Sequence, residues 1–240
     1  MAKKSGGAKG RVWLAVVAML LVSAAACDEG GDDSPRPTEP TATSEPAPTT
    51  TAPGAITQQE AATVVWPDPA GELRYNDPMT AVAGYAEELI GFDAPAYGEF
   101  MPGDSRSGEV ELRATARGAV TTVLVRQMGD GNWYVLGSST PNIELETPAA
   151  GASIDDPLSL AGRARAFEGT VQVSVFELGG ARPVGEGFVT GRGDGVLGAF
   201  SDEVRWDNPG TGRGVLVLYT ESAEDGSVWE AMSIPVTFAG

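Results

Sequence analysis

The sequence predicts an α+β domain, with one main helix on an antiparallel sheet, followed by an all-β sandwich. A signal peptide and a disordered tether precede both. Apolar residues recur at helical spacing over one stretch, residues 79–90. After it, the apolar runs are short, many alternate with polar residues, and glycine-rich turn sequences separate them, which is typical of strands. Before residue 56, a proline-rich polar stretch carries no large apolar residue and cannot form a core.

The first 26 residues have the organisation of an export signal. A basic head precedes the run Val12–Ala26, which is apolar apart from Ser23. This run is shorter than the ~20 residues that a helix needs to cross a bilayer. The cations of the head are Lys3, Lys4, Lys9 and Arg11. We therefore predict a secretory signal peptide over residues 1–26; an uncleaved signal anchor is the alternative.

The end of this segment resembles a bacterial lipobox. Small residues, Ala24 to Ala26, stand directly before Cys27, which is the chain's only cysteine. Ala24 occupies the position where leucine is usual. The resemblance implies cleavage between Ala26 and Cys27 and acylation of the Cys27 thiol, for example by palmitate. Cys27 would then fix the protein to membrane lipid, on the extracytoplasmic face of the cell membrane.

Residues 27–55 are predicted to be a disordered tether rich in proline, threonine and glutamate. Such a composition buries too little apolar surface to offset the entropy lost on ordering, so the segment stays extended. It would hold the folded part away from the bilayer.

Residues 56–148 are predicted to form the α+β domain. Asp77 and Pro78 are typical of a helix N-terminus, and Gly91 is typical of the end. The stretch 120–128 is apolar on both faces, as in a central strand that is covered on each side. Predicted strands are Thr63–Trp66, Glu109–Ala114, Val120–Met128 and, after the turn at residues 130–132, Trp133–Leu136.

Residues 153–240 are predicted to be entirely β. Glycine-rich turns at residues 179–180, 193–195, 208–210 and 225–226 separate the apolar runs. About seven short strands at this spacing favour a β-sandwich. The runs are Leu158–Leu160, Val171–Phe176, Gly187–Thr190, Leu197–Val204, Val215–Tyr219 and Val228–Phe238.

The start of this region has the pattern P-L-x-L-x-G-x-A-x-x-F-E-G over residues 157–169. It resembles the immunoglobulin-like domain of bacterial spore-germination proteins, which in that family accompanies a separate germination module. The resemblance implies an immunoglobulin-like sandwich, and it does not by itself imply a role in germination. Leu158, Leu160 and Gly162 are expected to share one face, and Phe167 is expected to fill the core where the chain turns.

Composition excludes most catalytic chemistry. The chain has no histidine, and its three lysines lie within the predicted signal peptide. Ser-His-Asp, Cys-His and Ser-Lys arrangements therefore cannot form in the mature protein, and zinc, copper, haem and iron–sulfur sites lose their usual ligands. We predict no enzyme activity, no catalytic residue, no cofactor and no metal. Paired carboxylates acting on glycan and a weak calcium site at Asp155–Asp156 are minor alternatives.

Charge restricts the partners. Loss of residues 1–26 removes four cations and no acid, so the formal charge falls from −17 to about −21. Such a protein is repelled by nucleic acids and by anionic lipid headgroups. We predict a non-enzymatic protein-interaction or scaffold module at the cell envelope, with an envelope protein as partner.

The alternative function is binding of a cell-wall polymer or a small ligand. Its pocket would lie in the α+β domain, between residues 82–90 of the helix and residues 120–125 of the sheet. Aromatic residues could supply a platform for glycan, because Trp133 and Tyr134 point to opposite faces of their strand and Tyr85 lies off the apolar stripe of the helix.

Overall fold

The structure is a computed structural model that describes residues 54–193 and 195–240. The predicted signal peptide, the Ala26–Cys27 cleavage and lipidation site, and the tether up to residue 53 lie outside the described residues. The described part is mostly β-sheet with short helical segments, and it packs as one compact unit. No helix in this part combines the length and the apolar character needed to cross a membrane.

The helical stretch begins and ends where the sequence predicts. Helix α1 is Gln58–Ala61, and helix α2 is Pro78–Gly84, which continues as a π-helical segment, Tyr85–Ile90. The Asp77 side chain accepts a hydrogen bond from the Thr80 amide at 3.1 Å and caps α2. Gly91 closes the stretch with φ 85°, a left-handed conformation that glycine adopts without steric cost.

The described residues contain twelve strands in two sheets. The large sheet has the order β1-β2-β3-β4-β12-β11-β8-β9, with β6 beside β12, and the small sheet has the order β10-β7-β5. The strands are β1 Ala96–Pro102, β2 Ser107–Arg113, β3 Thr121–Gln127, β4 Trp133–Ser139, β5 Ile143–Thr147, β6 Ser153–Ile154, β7 Leu158–Ala164, β8 Thr170–Glu177, β9 Pro183–Thr190, β10 Gly198–Val204, β11 Gly212–Glu221 and β12 Val228–Phe238.

One residue pair joins the first four strands to the rest of the large sheet. Ser138 of β4 lies opposite Ser233 of β12 in an antiparallel bridge. The sheet therefore runs through both sequence regions, residues 56–148 and 153–240. Strand β5 pairs with β7 in the small sheet. The domain boundary between residues 148 and 153 stays a prediction.

The large sheet is the middle of three layers. Leu216 and Leu218 of β11 face the small sheet, where the larger apolar cluster forms the sandwich core. Val215 and Val217 face the opposite way and pack in a second cluster with the helix. Strands β11 and β12 are therefore both buried on two faces. The prediction that residues 120–128 form such a strand is wrong, because burial alternates along β3 and Leu124 is 40% exposed.

Two further local predictions are wrong. Residues 63–66 form no strand; Trp66 makes an isolated bridge to Val135, and Pro67 follows without an N–H group to continue a ladder. Tyr85 is fully buried rather than off the apolar stripe. The Gly91 amide bonds to the carbonyl of Ala86, five residues earlier, so the turn is wider than the α-helical turn assumed in the prediction.

The opening run of the sandwich is partly as predicted. Leu158, Leu160 and Gly162 are buried on one face of β7, with exposed or half-buried residues between them. Phe167, however, is 64% exposed and does not fill the core. It begins a short 3-10 turn in which Glu168 has φ 56°, and the chain reverses before the side chain can enter the sandwich. Phe200 of β10 belongs to the core cluster instead.

Candidate functional site

An open pocket of about 570 Å³ lies at one end of the sandwich, where several connections meet. Its walls come from the β4–β5 turn, the β7–β8 connection, the loop before β10, the β11–β12 hairpin and the start of β12. Side chains that define its floor and rim are Asn142, Arg165, Phe167, Glu224, Trp229 and Glu230. We call this set of six residues the loop-end pocket.

The floor of the loop-end pocket carries a carboxylate at a core position. Along β12, Met232, Val236 and Phe238 face the sandwich core, and Glu230 has the same phase. Its partner on β11 is Thr220, in phase with Leu218. The apolar core therefore ends in a polar Thr220–Glu230 pair, and Glu230 is only 3% exposed.

Neutral donors surround the Glu230 carboxylate. Asn142 Nδ2 donates to both of its oxygens, at 3.0 Å to Oε1 and 2.9 Å to Oε2. Thr140 Oγ1 donates a short hydrogen bond to Oε2, and Thr220 Oγ1 donates to Oε1 at 3.4 Å. Within the described residues Glu230 forms no ion pair. Buried charges are usually paired, so a buried carboxylate solvated only by neutral groups is unusual.

Arg165 orients the Asn142 side chain, whose amide group donates to the Glu230 carboxylate. Arg165 Nε donates to Asn142 Oδ1 at 2.6 Å, and Arg165 Nη1 donates to the Gly195 carbonyl at 2.9 Å. With its oxygen engaged by the guanidinium, Asn142 must direct its NH₂ group toward Glu230. The guanidinium thus acts on the carboxylate through Asn142 rather than by direct contact.

The rim combines aromatic surface with more acid. Phe167 is exposed, and Trp229 is half-buried. The β11–β12 hairpin adds Glu221, which accepts a hydrogen bond from Gln172 at 3.0 Å, and Glu224, which is exposed. Among the described residues that line the pocket, three carboxylates therefore stand against one guanidinium. Among residues 54–193 and 195–240, no group of three or more His, Cys, Asp or Glu side chains is placed to hold a metal ion.

The helix–sheet interface, where the alternative function places a pocket, is filled. Val82, Ala86 and Leu89 pack in one buried cluster with Val123 and Val125. In the same layer the Tyr85 hydroxyl lies 2.7 Å from the Oγ atoms of Ser138 and Ser233. Burial raises the pKa of Tyr85 to about 12. This interface is a structural core with a hydrogen-bonded hydroxyl group at its centre.

The aromatic pair on β4 is engaged in packing. Tyr134 is fully buried, and its hydroxyl donates to Asp130 Oδ2 at 2.8 Å. Trp133 is half-buried and packs edge-on against Phe100, with ring centroids 5.5 Å apart. The expectation that one of the two offers an open glycan platform is therefore wrong for Tyr134, and Trp133 has one side occupied.

The acid pair at Asp155–Asp156 holds a tryptophan. Trp206 Nε1 donates to the Asp155 carbonyl at 2.9 Å, and the Trp206 amide donates to Asp156 Oδ1 at 3.1 Å. Arg205 lies 4.0 Å from Asp156. These contacts tie the start of β7 to the end of β10, which is a structural role.

The sequence reasoning missed the loop-end pocket, although one signal for it was available. From Glu230 to Phe238 the residues at even positions face the sandwich core, and Glu230 is the charged member of that series. A charge at a core position of a strand indicates a special environment. Asn142 and Arg165 gave no such signal, because their meeting depends on how the β4–β5 turn and the end of β7 pack together.

These observations define an immunoglobulin-like β-sandwich with an open pocket among its loops. Residues 142–227 match the family model described as the immunoglobulin-like domain of bacterial spore germination, which confirms the resemblance noted in the sequence. The match includes β5 and ends just before β12, so Asn142, Arg165 and Phe167 lie within it and Trp229 and Glu230 lie beyond it. Comparison with curated proteins and with solved structures gives no match.

Proposed function

We propose that the protein is a membrane-anchored extracytoplasmic lipoprotein that acts as a non-enzymatic interaction or scaffold module at the cell envelope. Acylated Cys27 would hold it in membrane lipid, and the tether would set its reach. Support for the anchor comes from the basic head, the short apolar run and the small residues before Cys27. Support for binding rather than catalysis comes from a chain without histidine and, after cleavage, without lysine.

The observation that carries the binding role is the loop-end pocket. Immunoglobulin-like sandwiches present their loops in clusters at the two ends. The two sheets hold these loops in place whatever the loop sequence is. Here one such end is an open cavity with a buried carboxylate on its floor and an exposed Phe167 at its rim. The Phe167 ring beside this cavity offers an aromatic contact surface to a bound partner.

The proposal also divides the described part of the chain into two domains. Residues 56–148 would be an α+β domain whose sheet continues that of the sandwich through Ser138 and Ser233. Such a domain would act as a rigid support, because its helix and the β11–β12 pair enclose a common core. It would carry the loop-end pocket at a fixed orientation at the end of the tether.

The proposal is tested by crosslinking in intact cells that carry the full chain with a C-terminal tag. We expect the wild-type protein to fractionate with membranes and to yield a defined crosslinked envelope protein. The Cys27→Ala form should leave the membrane fraction and lose that product. An unchanged membrane fraction for Cys27→Ala would overturn the anchor. Recovery of cell-wall polymer without any protein would favour the polymer-binding alternative.

A further inference from the structure

We propose that the loop-end pocket binds a basic side chain, a guanidinium or an ammonium group, presented by a partner polypeptide. This inference rests on the proposed function and names the chemistry of its ligand. The pocket offers a carboxylate that lacks a cation, aromatic rings at the same opening, and a volume of about 570 Å³. That volume lies in the range of about 300–1,000 Å³ that ligand pockets commonly have.

The first argument is the state of Glu230. Glu230 is 3% exposed as a residue, and its carboxylate receives hydrogen bonds from neutral side chains of Thr140, Asn142 and Thr220. Neutral donors satisfy its lone pairs but leave its charge uncompensated. A cation in the pocket would gain a charge-assisted interaction in a poorly solvated place, where it is stronger than in water.

The second argument is the location of Arg165. Of the described lining residues Arg165 carries the positive charge, yet its guanidinium bonds to Asn142 and to the Gly195 carbonyl rather than to Glu230. The chain's own cation therefore orders the pocket walls and leaves the carboxylate available. Since Glu221 and Glu224 add two further negative charges to the lining, the field in the opening attracts cations and repels anions.

The third argument is the aromatic rim. Trp229 and Phe167 line the pocket, and Phe167 is 64% exposed. The face of an aromatic ring attracts cations, and carboxylates combined with aromatic rings are a recurrent arrangement for organic cations on an apolar stem. An arginine or lysine side chain has this composition, with methylene groups that can cover the rings and a charged head that can reach the floor.

An open pocket at a loop end suits a side chain that remains attached to its backbone. A polypeptide can lie across the rim while one residue inserts. Arginine should bind more tightly than lysine, because its planar donors can contact a carboxylate and stack on an aromatic ring together.

The test is calorimetric titration of the tagged ectodomain, residues 28–240, at low salt with a blocked glycine-flanked peptide that contains one arginine. The same peptide with citrulline, an uncharged isostere, is the ligand control. Glu230→Gln keeps the shape and removes the charge, and Glu203→Gln removes the same charge from an exposed site on β10. We expect binding of the arginine peptide, a loss of about tenfold or more with citrulline or in Glu230→Gln, and no loss in Glu203→Gln.

Further variants keep the test decisive if Glu230→Gln unfolds. Glu224→Gln and Trp229→Leu change the rim rather than the floor, and each should weaken the arginine peptide by a few-fold. The inference would be overturned if the arginine and citrulline peptides bound equally or if neither bound. It would also be overturned if Glu224→Gln and Trp229→Leu left binding of the arginine peptide unchanged. Binding of free spermidine as tightly as the peptide would also overturn it, because the ligand would then be a small amine. A captured envelope protein that is unaffected by Glu230→Gln would leave the proposed function standing and remove this ligand.

Discussion

The hydroxyl of Tyr85 lies 2.7 Å from the Oγ atom of Ser233, a residue 148 positions later in the chain. Ser233 in turn lies opposite Ser138 in the single bridge between β4 and β12. The π-helical segment therefore bonds directly to the point where the two halves of the large sheet meet. Both hydroxyl groups are buried, so this contact fixes the helix over the junction in a place that water does not reach.

Removal of the Tyr85 hydroxyl should destabilise the fold. Tyr85→Phe leaves Ser138 and Ser233 without their shortest partner, and we expect the free energy of unfolding in urea to fall by about 1–3 kcal/mol. Tyr97→Phe is the matched control, since the Tyr97 hydroxyl donates to Glu87 on the surface. We expect that control to lose less than about 1 kcal/mol. Equal losses would contradict a special role for the junction.

Stability should decline in alkaline solution. Burial raises the pKa of both Tyr85 and Tyr134 from 10 to about 12, and for Tyr134 the neighbouring Asp130 adds to the effect. A raised folded-state pKa means that the unfolded chain loses its proton first. The contribution of each tyrosine is therefore complete below pH 10 and is lost as the pH rises from about 10 toward 12.

Urea unfolding of the wild type and of Tyr85→Phe across this pH range checks the effect. We expect the wild type to lose stability more steeply than the variant above about pH 10, because the variant has one fewer buried group to ionise. Parallel pH profiles would show that Tyr85 does not ionise on unfolding in this range.

Phe167 and Phe200 should differ sharply in their effect on stability. Phe167 is 64% exposed, so Phe167→Ala should change the free energy of unfolding by no more than about 0.5 kcal/mol. Phe200 is 5% exposed in the sandwich core, and Phe200→Ala should cost about 3–5 kcal/mol. Thermal and urea unfolding of the two variants give this comparison directly. A large loss at Phe167 would place its ring in the core, as the sequence predicted.

Gly162 should not tolerate a side chain. A Cβ atom there would collide with the Glu144 carbonyl of the neighbouring strand and would lie 2.8 Å from the Phe200 ring. We expect Gly162→Ala to cost about 1–3 kcal/mol in urea unfolding. Gly103→Ala is the control, because a Cβ atom there meets Ser107 only at 3.8 Å, an ordinary contact. An equally stable Gly162→Ala protein would contradict the close packing of β7 between its neighbours.

The sequence predicts the strands of the sandwich well because alternation and glycine-rich turns are local signals. It also locates the helix ends at Asp77 and Gly91, which are set by capping. The sequence does not predict which strands pair across the sheet or how the layers stack, because these features depend on tertiary contacts. The continuous apolar run Val215–Tyr219 is consistent with burial of β11 on both faces, but the layers that cover it are set by tertiary contacts such as the Ser138–Ser233 bridge between β4 and β12.

The candidate site, too, is only partly predictable from local sequence patterns. Glu230 breaks the apolar series of β12 and is visible in the sequence, whereas the partnership of Asn142 with Arg165 is a product of tertiary packing. The exposure of Phe167 is also beyond local prediction. An aromatic residue in an apolar strand context is usually core, and here the left-handed conformation of Glu168 turns the chain away.

The most direct test of the central claim is photo-crosslinking in living cells from a reactive amino acid placed at position 167. Position 188 is the matched control, since Phe188 is 62% exposed on β9 and does not line the pocket. We predict a discrete adduct with an envelope protein from position 167 that is absent from position 188 and is lost in Glu230→Gln. Identical adducts from both positions, or an adduct from position 167 that persists in Glu230→Gln, would contradict binding at the loop-end pocket.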